Sequence, residues 1–306
     1  MSRTVAVILN HATADETVRA VRSLMQATSP VAEIIVVDNG SGDRSVDRIS
    51  RSEPAIRMIE SRENRGFSAG CNLGIRAALE RGADAVLLLN SDVVVPPETV
   101  AGLELALASN PEIGIVAPMI VTMNDPTEVQ SLGIRYSART GRMRHRGYGE
   151  RVERLERVSC REVDGVSGCA MLVRREVLAR VGLLTEEYFF GFEDLDFCLR
   201  ARAAGYRSAC VESVSVLHQG SLSIGRGSPR RIYFAVRNHL LLAARMRPQS
   251  TAPERWLRSV TIIALNLAHA LMQREVPRGS GLRALVKGVR DFRAGRFGAG
   301  PATASV

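Results

Sequence analysis

The chain has 306 residues, enough for one large or two small domains with an ample core; its 45% apolar and 24% charged content is that of an ordinary globular protein. The five cysteines (Cys71, Cys160, Cys169, Cys198, Cys210) form no CxxC pair and no zinc spacing, and read as small buried residues of a reducing compartment. The formal net charge of +9 is unevenly spread: from Pro229 onward fourteen Arg and Lys face three Asp and Glu, so the rest is near neutral.

No uninterrupted apolar stretch is long enough for a membrane span, and no signal peptide precedes the first strand-like run, so a cytoplasmic chain is expected. That run is Thr4–Asn10, followed by a helical pattern over Asp15–Met25, a strand over Val31–Val37, a short helix over Ser45–Ser50, and a strand over Ile56–Ile59. The stretch Asn64–Asn72 leads into a helix that runs through Leu79. Ala85–Leu89 is an unbroken apolar strand that stops at Asn90-Ser91-Asp92. Strands alternating with helices define βαβ units, hence a Rossmann-like, mostly parallel central sheet flanked by helices in an α/β fold. In such sheets ligands bind beyond the carboxyl ends of the strands, where Asp38 and Asp92 fall.

After a helix over Pro97–Ala108 and a strand over Ile113–Val116 the pattern changes. Residues 122–161 are polar and Arg-rich and read as a loop or hairpin insertion. A strand over Val166–Val173, a helix over Arg175–Val181, a helix starting at Glu193, and short strands over Tyr206–Val211 and Val214–Leu217 follow, the last ending at His218. Three helices close the chain, over Pro229–Met246, Pro253–Gln273 and Leu282–Phe292. We therefore expect a catalytic unit over 1–228, with a nucleotide half of about 1–117 and an acceptor half of about 118–228, and a basic helical extension over 229–306.

Several positions invite chemistry. Asp38-Asn39-Gly40-Ser41 can accept hydrogen bonds from a ribose or a base, or form an Asx turn. Gly66 and Gly70 flank a helix start that offers N–H groups to phosphate; neither a GxGxxG nor a P-loop is present, which disfavours a dehydrogenase or ATPase. Glu193-Asp194-x-Asp196 places three carboxylates in one helical turn, a general base, a metal site or plain helix-capping acids. His218 at a strand end is a metal ligand or a core histidine. A nucleotidyltransferase would want a Gly-rich basic loop after the first strand, where this chain has Asn10-His11-Ala12-Thr13.

Taken together, Val36–Ser41, Asn64–Gly74, Leu87–Asp92, Gly168–Arg175, Phe190–Arg200, His218 and Arg237-Asn238 resemble the family 2 glycosyltransferases with a GT-A fold, in the rhamnosyltransferase-like branch, over about Val5–Arg245. The resemblance implies an inverting transferase that uses a nucleotide-sugar donor, such as dTDP-rhamnose, or a galactofuranose or mannose donor, and a divalent metal (Mg²⁺ or Mn²⁺). It implies a donor site built from Leu9, Asn10, His11, Asp38, Asn39, Asn64, Arg65, Gly66, Gly70, Asn72, Asn90 and Ser91. It makes Asp92 and His218 metal ligands, Asp194 the catalytic base with Glu193 beside it, and Gly168, Cys169, Phe192 and Glu193 acceptor contacts. Asn90 stands where the family's DxD-like motif often has a carboxylate, and His11-Ala12 where it often has an aromatic and Asn. By position, Arg226 or Arg230 could add charge at the leaving group. The expected acceptor is a cell-surface glycan or a polyprenyl-diphosphate-linked one, and nucleic acid is not an expected partner. The basic helix over Leu282–Phe292 would lie on an anionic membrane surface at the inner face of the cell membrane, pack on the domain, or join two copies in a homodimer.

Overall fold

The computed structural model describes residues 3–156, 158–220, 228–273 and 275–300. The first half alternates as its hydrophobic pattern requires. Strand β1 (Thr4–Asn10), helix α1 (Ala14–Met25), β2 (Glu33–Asn39), α2 (Ser45–Ser52), β3 (Arg57–Ser61), α3 (Gly66–Glu80) and β4 (Ala85–Asn90) build a parallel sheet in the order β3-β2-β1-β4. Successive residues of β1 enter opposite cores, because side chains alternate across a strand. Ala6 and Ile8 pack with Ala20, Val21 and Leu24 of α1; Val5 and Val7 pack with Cys71 and Ile75 of α3. Both faces of these strands are therefore apolar, which is why they read as unbroken hydrophobic runs.

The sheet continues through β5 (Val93–Val94), α4 (Thr99–Ser109) and β6 (Ile113–Thr122), the last running six residues beyond its expected end. The Arg-rich insertion holds β7 (Val129–Ser131) and the hairpin β8 (Ile134–Tyr136) and β9 (Met143–His145), so the expected hairpin is present. The edge strand β10 (Arg161–Val163) follows. Strand β11 (Ala170–Arg174) then enters between β4 and β6, antiparallel to both. It is shorter than expected: Gly168 and Cys169 precede it as loop. Helices α5 (Arg175–Val181) and α6 (Glu193–Ala203) cover the α3 face of the sheet. The two short strands anticipated before His218 form one strand, β12 (Arg207–His218), parallel to β6, with a register shift between Val211 and Ser215. That irregularity takes up the polar interruption at Glu212 and Ser213.

Helices α7 (Pro229–Met246), α8 (Ala252–Met272) and α9 (Arg278–Arg293) pack around their own core, in which Ile232, Val236, Ile262 and Leu285 are buried. This core also takes Phe189, whose ring stacks on Phe234 at 5.4 Å. In α9 Leu285 is buried while Leu282 and Val286 are exposed; in α8 Trp256, Leu257, Leu271 and Met272 are exposed. Among the described residues no helix is long and apolar enough to cross a membrane. Four of the five free cysteines are buried, as expected; Cys160 is half-buried.

Candidate active site

The carboxyl ends of β1, β2 and β4 lie side by side, with Leu9 opposite Asn90 and Asn10 opposite Asp38. Beyond them opens a cleft whose wall includes Leu9, His11, Asn39, Asn64, Gly66, Asn90, Ser91 and Asp92. Eight residues from four separate sequence motifs thus share one surface. Thr13, Phe67, Phe189, Phe190 and Arg230 complete it.

Hydrogen bonds fix the far wall. His11 Nδ1 lies 3.1 Å from the Asn39 carbonyl and its Nε2 3.0 Å from Asn64 Nδ2. The Asn39 amide donates to Asn64 Oδ1 and to the Gly66 carbonyl, and accepts from Arg65 N. Gly66 has φ +85°, and a Cβ there would fall 2.6 Å from the Phe189 carbonyl oxygen, so only glycine fits. The neighbouring Phe67 N–H donates to that same carbonyl at 2.6 Å.

Other expected donor residues stand behind this wall. Asp38 is buried and accepts from Asn10 Nδ2 at 2.6 Å and from Ser41 N at 3.1 Å, which fixes the β1–β2 edge from beneath. Gly70 lets α3 close onto Leu9, since a Cβ would stand 2.4 Å from Leu9 Cδ1. Asn72 uses its amide on the Leu184 backbone and on Glu186, bracing the segment that leads to α6. The Arg65 guanidinium lies 3.6 Å from Glu186. Arg226 lies outside the described residues.

Asp92 and His218 meet across the β5–β12 pair, His218 Nε2 lying 3.4 Å from Asp92 Oδ1. The Gln130 side chain, from the insertion, bonds His218 Nδ1 at 2.8 Å and so orients the ring. His218 Nε2 and Asn90 Oδ1 are buried without a hydrogen-bond partner. Burial opposes a charged imidazole; the Cys169 sulfur and the Asp92 carboxylate outweigh it and push His218 up to about 10. The locality therefore favours positive charge, and a cation that displaces the imidazole proton would meet a carboxylate, an imidazole nitrogen and an amide oxygen, donors that suit Mg²⁺ or Mn²⁺. Among the described residues no three His, Cys, Asp or Glu converge on one point, so further ligands would come from phosphate oxygens or water.

The acidic cluster divides into three environments. Asp196 is fully buried and neutralised: it accepts from Arg200 Nε at 2.8 Å, Tyr188 OH at 3.0 Å and Thr185 Oγ1 at 2.8 Å. Glu193 is buried with Oε2 unpartnered; burial first, then the Asp194 charge, pushes it up to about 8. Only Asp194 is half-exposed, and it accepts from Gly168 N at 2.9 Å and Leu195 N at 2.7 Å. Cys169 is buried, and its carbonyl accepts from Asn90 N, tying the loop before β11 to the end of β4.

The loop before Asp194 is strained. Phe189 and Phe192 have φ of +62° and +77°, a region costly for bulky residues. Helix α7 over-determines it: Asn238 Nδ2 donates to the carbonyls of Tyr188, Phe190 and Gly191, and Arg237 to those of Glu187 and Tyr188. The Phe192 ring stacks on His239 at 5.0 Å. Sequence reasoning named Arg237 and Asn238 without a role. It includes Phe67 in the pocket-lining stretch Asn64–Asn72, reads Phe190 as core, and misses Thr13 and Gln130, whose ordinary polar character carries no signal.

A mixed sheet with a polar cleft at its strand ends, an aspartate at the end of β4 and a half-exposed carboxylate at the start of α6, is the arrangement of a GT-A glycosyltransferase. Residues 5–182 match the family model "Glycosyl transferase family 2", and the chain belongs to that family and is a glycosyltransferase. It is 29% identical over 258 residues to the N-acetylglucosaminyl-diphospho-decaprenol L-rhamnosyltransferase of Mycobacterium tuberculosis, covering 78% of this chain and 83% of the relative. It is 26% identical over 247 residues to the low-salt glycan biosynthesis hexosyltransferase Agl10 of Haloferax volcanii, covering 77% and 73%. In fold it is similar to the mannosyltransferase PcManGT of Pyrobaculum calidifontis, solved with GDP-Man and Mn²⁺, with TM-score 0.61, 17% identity, and 96% of this chain and 83% of that one covered.

Proposed function

We propose that this glycosyltransferase moves rhamnose from a nucleotide-activated donor to a hydroxyl of a lipid-diphosphate-linked glycan, with inversion at the anomeric carbon. The observation that carries the mechanism is the division of the acidic cluster, which leaves Asp194 as the one carboxylate of the three that is both half-exposed and held in place, by the N–H groups of Gly168 and Leu195. The mycobacterial rhamnosyltransferase, whose name specifies a diphospho-decaprenol, supports the choice of sugar and acceptor. The Haloferax hexosyltransferase supports a second donor, another hexose.

In this reading His11, Asn39, Asn64 and Gly66 receive the nucleoside, with Asp38 fixing the edge from below. Asp92, His218 and the Asn90 side-chain Oδ1 would hold Mg²⁺ or Mn²⁺. When bound, the ion supplies charge neutralisation to the leaving diphosphate. Arg230, on the cleft wall, adds a second positive charge there. Asp194 accepts the proton of the acceptor hydroxyl as its oxygen bonds to the anomeric carbon. The bond from that carbon to the phosphate oxygen breaks on the opposite face, and the nucleoside diphosphate leaves with the electron pair. A single displacement of this kind inverts the centre. Gly168, Cys169, Phe192 and Glu193 shape the acceptor side.

The test is nucleoside diphosphate release from a panel of nucleotide-sugars, with Mn²⁺ or EDTA, for wild type and Asp194→Asn. Turnover of dTDP-rhamnose with metal, lost in the variant, is the expected result. Turnover that survives the substitution would remove Asp194 from the mechanism.

A further inference from the structure

A second cavity, of about 630 Å³, opens on the insertion and shares no wall residue with the donor cleft. Its volume lies within the range of ligand sites. Its wall is cationic: Arg135, Arg144, Arg146, Arg154 and Arg161 line it, against Glu150, Glu156 and Glu212. Glu212 is spent within the fold. Its side chain is 1% exposed, and it accepts from Arg161 Nε at 2.7 Å and from Val158 N at 3.1 Å. Arg146 stands 3.9 Å from the same carboxylate, and its Nη1 is buried without a hydrogen bond. Burial, together with the charges of Arg161 and Arg135, holds the Arg146 guanidinium below its usual range. The side chains of Arg135, Arg144 and Arg154 have no hydrogen bond or ion pair with described residues. With Glu150 and Glu156 also on the wall the arginines remain in excess; guanidiniums in excess of their carboxylates are stabilised by an anion with several oxygens, and guanidinium forks match phosphate.

The cavity also adjoins the acceptor side of the reaction. His145 lies on its wall, its Nδ1 held by Ser131 Oγ at 2.9 Å. Burial keeps this imidazole below the ordinary histidine range, and the Asp194 charge acts on it in the opposite sense, so His145, on the cavity wall, lies within electrostatic reach of Asp194. Strand β8 is fixed in the same place: Ile134 N donates to the Gly165 carbonyl at 2.7 Å, three residues before the Gly168 that binds Asp194.

We propose that this arginine-walled cavity seats the phosphate-bearing end of the acceptor and so aligns the acceptor's hydroxyl with Asp194. The assignment rests on the diphosphate-linked acceptor of the preceding subsection and adds the residues that would recognise it. Two sources share this chemistry, the diphosphate of the acceptor itself and the headgroups of an anionic bilayer, and the assignment is to the first.

The test uses the full chain in EDTA, which removes metal-dependent binding at the donor cleft. Inorganic pyrophosphate and geranyl diphosphate are titrated by calorimetry into wild type, the Asp92→Asn variant and the triple variant Arg135→Gln/Arg144→Gln/Arg154→Gln, whose folding is checked by thermal melting. Wild type and Asp92→Asn should bind both ligands, the triple variant at least roughly tenfold more weakly, and pyrophosphate should displace geranyl diphosphate. Absence of binding to wild type, or equal affinity in the triple variant, would overturn the proposal. Vesicles of phosphatidylglycerol and of phosphatidylcholine form a second arm. Binding to the anionic vesicles that the triple variant loses and pyrophosphate cannot compete away would assign the cavity to the bilayer instead, and overturn it. None of these readings needs a donor or turnover, so a failed transferase assay and a failed anion site are distinguishable.

Discussion

Asp194 and Asp196 sit two residues apart on α6 and live in opposite worlds. Asp196 is enclosed by Arg200, Tyr188 and Thr185, with the Arg245 guanidinium a further 3.6 Å away, while Asp194 meets two backbone N–H groups and solvent. Substitutions at the two positions should therefore fail differently. Asp194→Asn should fold normally, keep nucleotide binding and lose roughly 10²–10⁴-fold in turnover, as loss of a general base does. Asp196→Asn should leave Arg200 and Arg245 short of a buried counter-charge and lower stability by about 3 kcal/mol. Urea unfolding and nucleotide release, measured side by side, separate the two.

Glu193 confers a pH dependence on folding. Its carboxyl is raised to about 8 in the folded chain from an ordinary value near 4.5, so the native state keeps a proton that the unfolded chain has released. Its contribution is fully present below about pH 4.5 and declines as pH rises toward about 8, with a limiting slope of about 1.4 kcal/mol per pH unit. Glu193→Gln should abolish this component. The stability difference between variant and wild type, followed by urea unfolding from pH 5 to 8.5, should grow in favour of the variant.

Removal of metal should act on donor binding and leave the fold intact. In the Arg135→Gln/Arg144→Gln/Arg154→Gln background, where only the donor cleft is left to receive a diphosphate, thermal stabilisation by a nucleoside diphosphate should require Mn²⁺, vanish in EDTA and vanish when Asp92→Ala is added. His218→Ala should raise the Mn²⁺ concentration needed by roughly tenfold or more, and Gln130→Ala, which frees the imidazole that Gln130 orients, by a smaller factor.

Arg237 is fully buried and bridges α7 to the carbonyls of Tyr188 and Gly298 at 2.9 and 2.8 Å. Arg237→Leu keeps the apolar stem and abandons those acceptors. The expected loss is about 3 kcal/mol in unfolding free energy. Because Phe189 and Phe190 of this loop line the donor cleft, donor affinity should fall along with a rise in acceptor KM; unchanged donor binding would show that the loop serves the acceptor alone.

What was readable in the chain follows from how each feature is encoded. The β1–β4 strands and their helices declare themselves through local apolar periodicity; Asp92 reads as a cleft residue because it follows the apolar run of β4, and Asn39, Asn64 and Asn90 through the motifs that carry the family resemblance. Strand β11 was found by its pattern, but its antiparallel entry between β4 and β6 is a tertiary fact with no local sign. Asn72 and Asp38 share the residue types of a polar site, and only the hydrogen bonds they make show them bracing it from behind. The separation of Glu193, Asp194 and Asp196 into three roles depends on arginines and a tyrosine brought from α6, α7 and the preceding loop. His145 lay hidden in an insertion whose composition marks only a polar surface.

The clamp of Arg237 and Asn238 on the 187–191 loop has a consequence for the order of events during synthesis. The family-model match ends at residue 182, and Asp194 emerges soon after it, yet the strained turn at Phe189 and Phe192, held from α3 by the Phe67 N–H, receives its side-chain clamp from residues translated more than forty positions later. A nascent chain can complete the parallel sheet and bind nucleotide while its α6 carboxylate is still without a fixed bearing. Competence for transfer is thus acquired late, when α7 docks, and truncation after His218 but before Asn238 should yield a chain with the whole sheet that still receives the donor, more weakly, and turns over nothing.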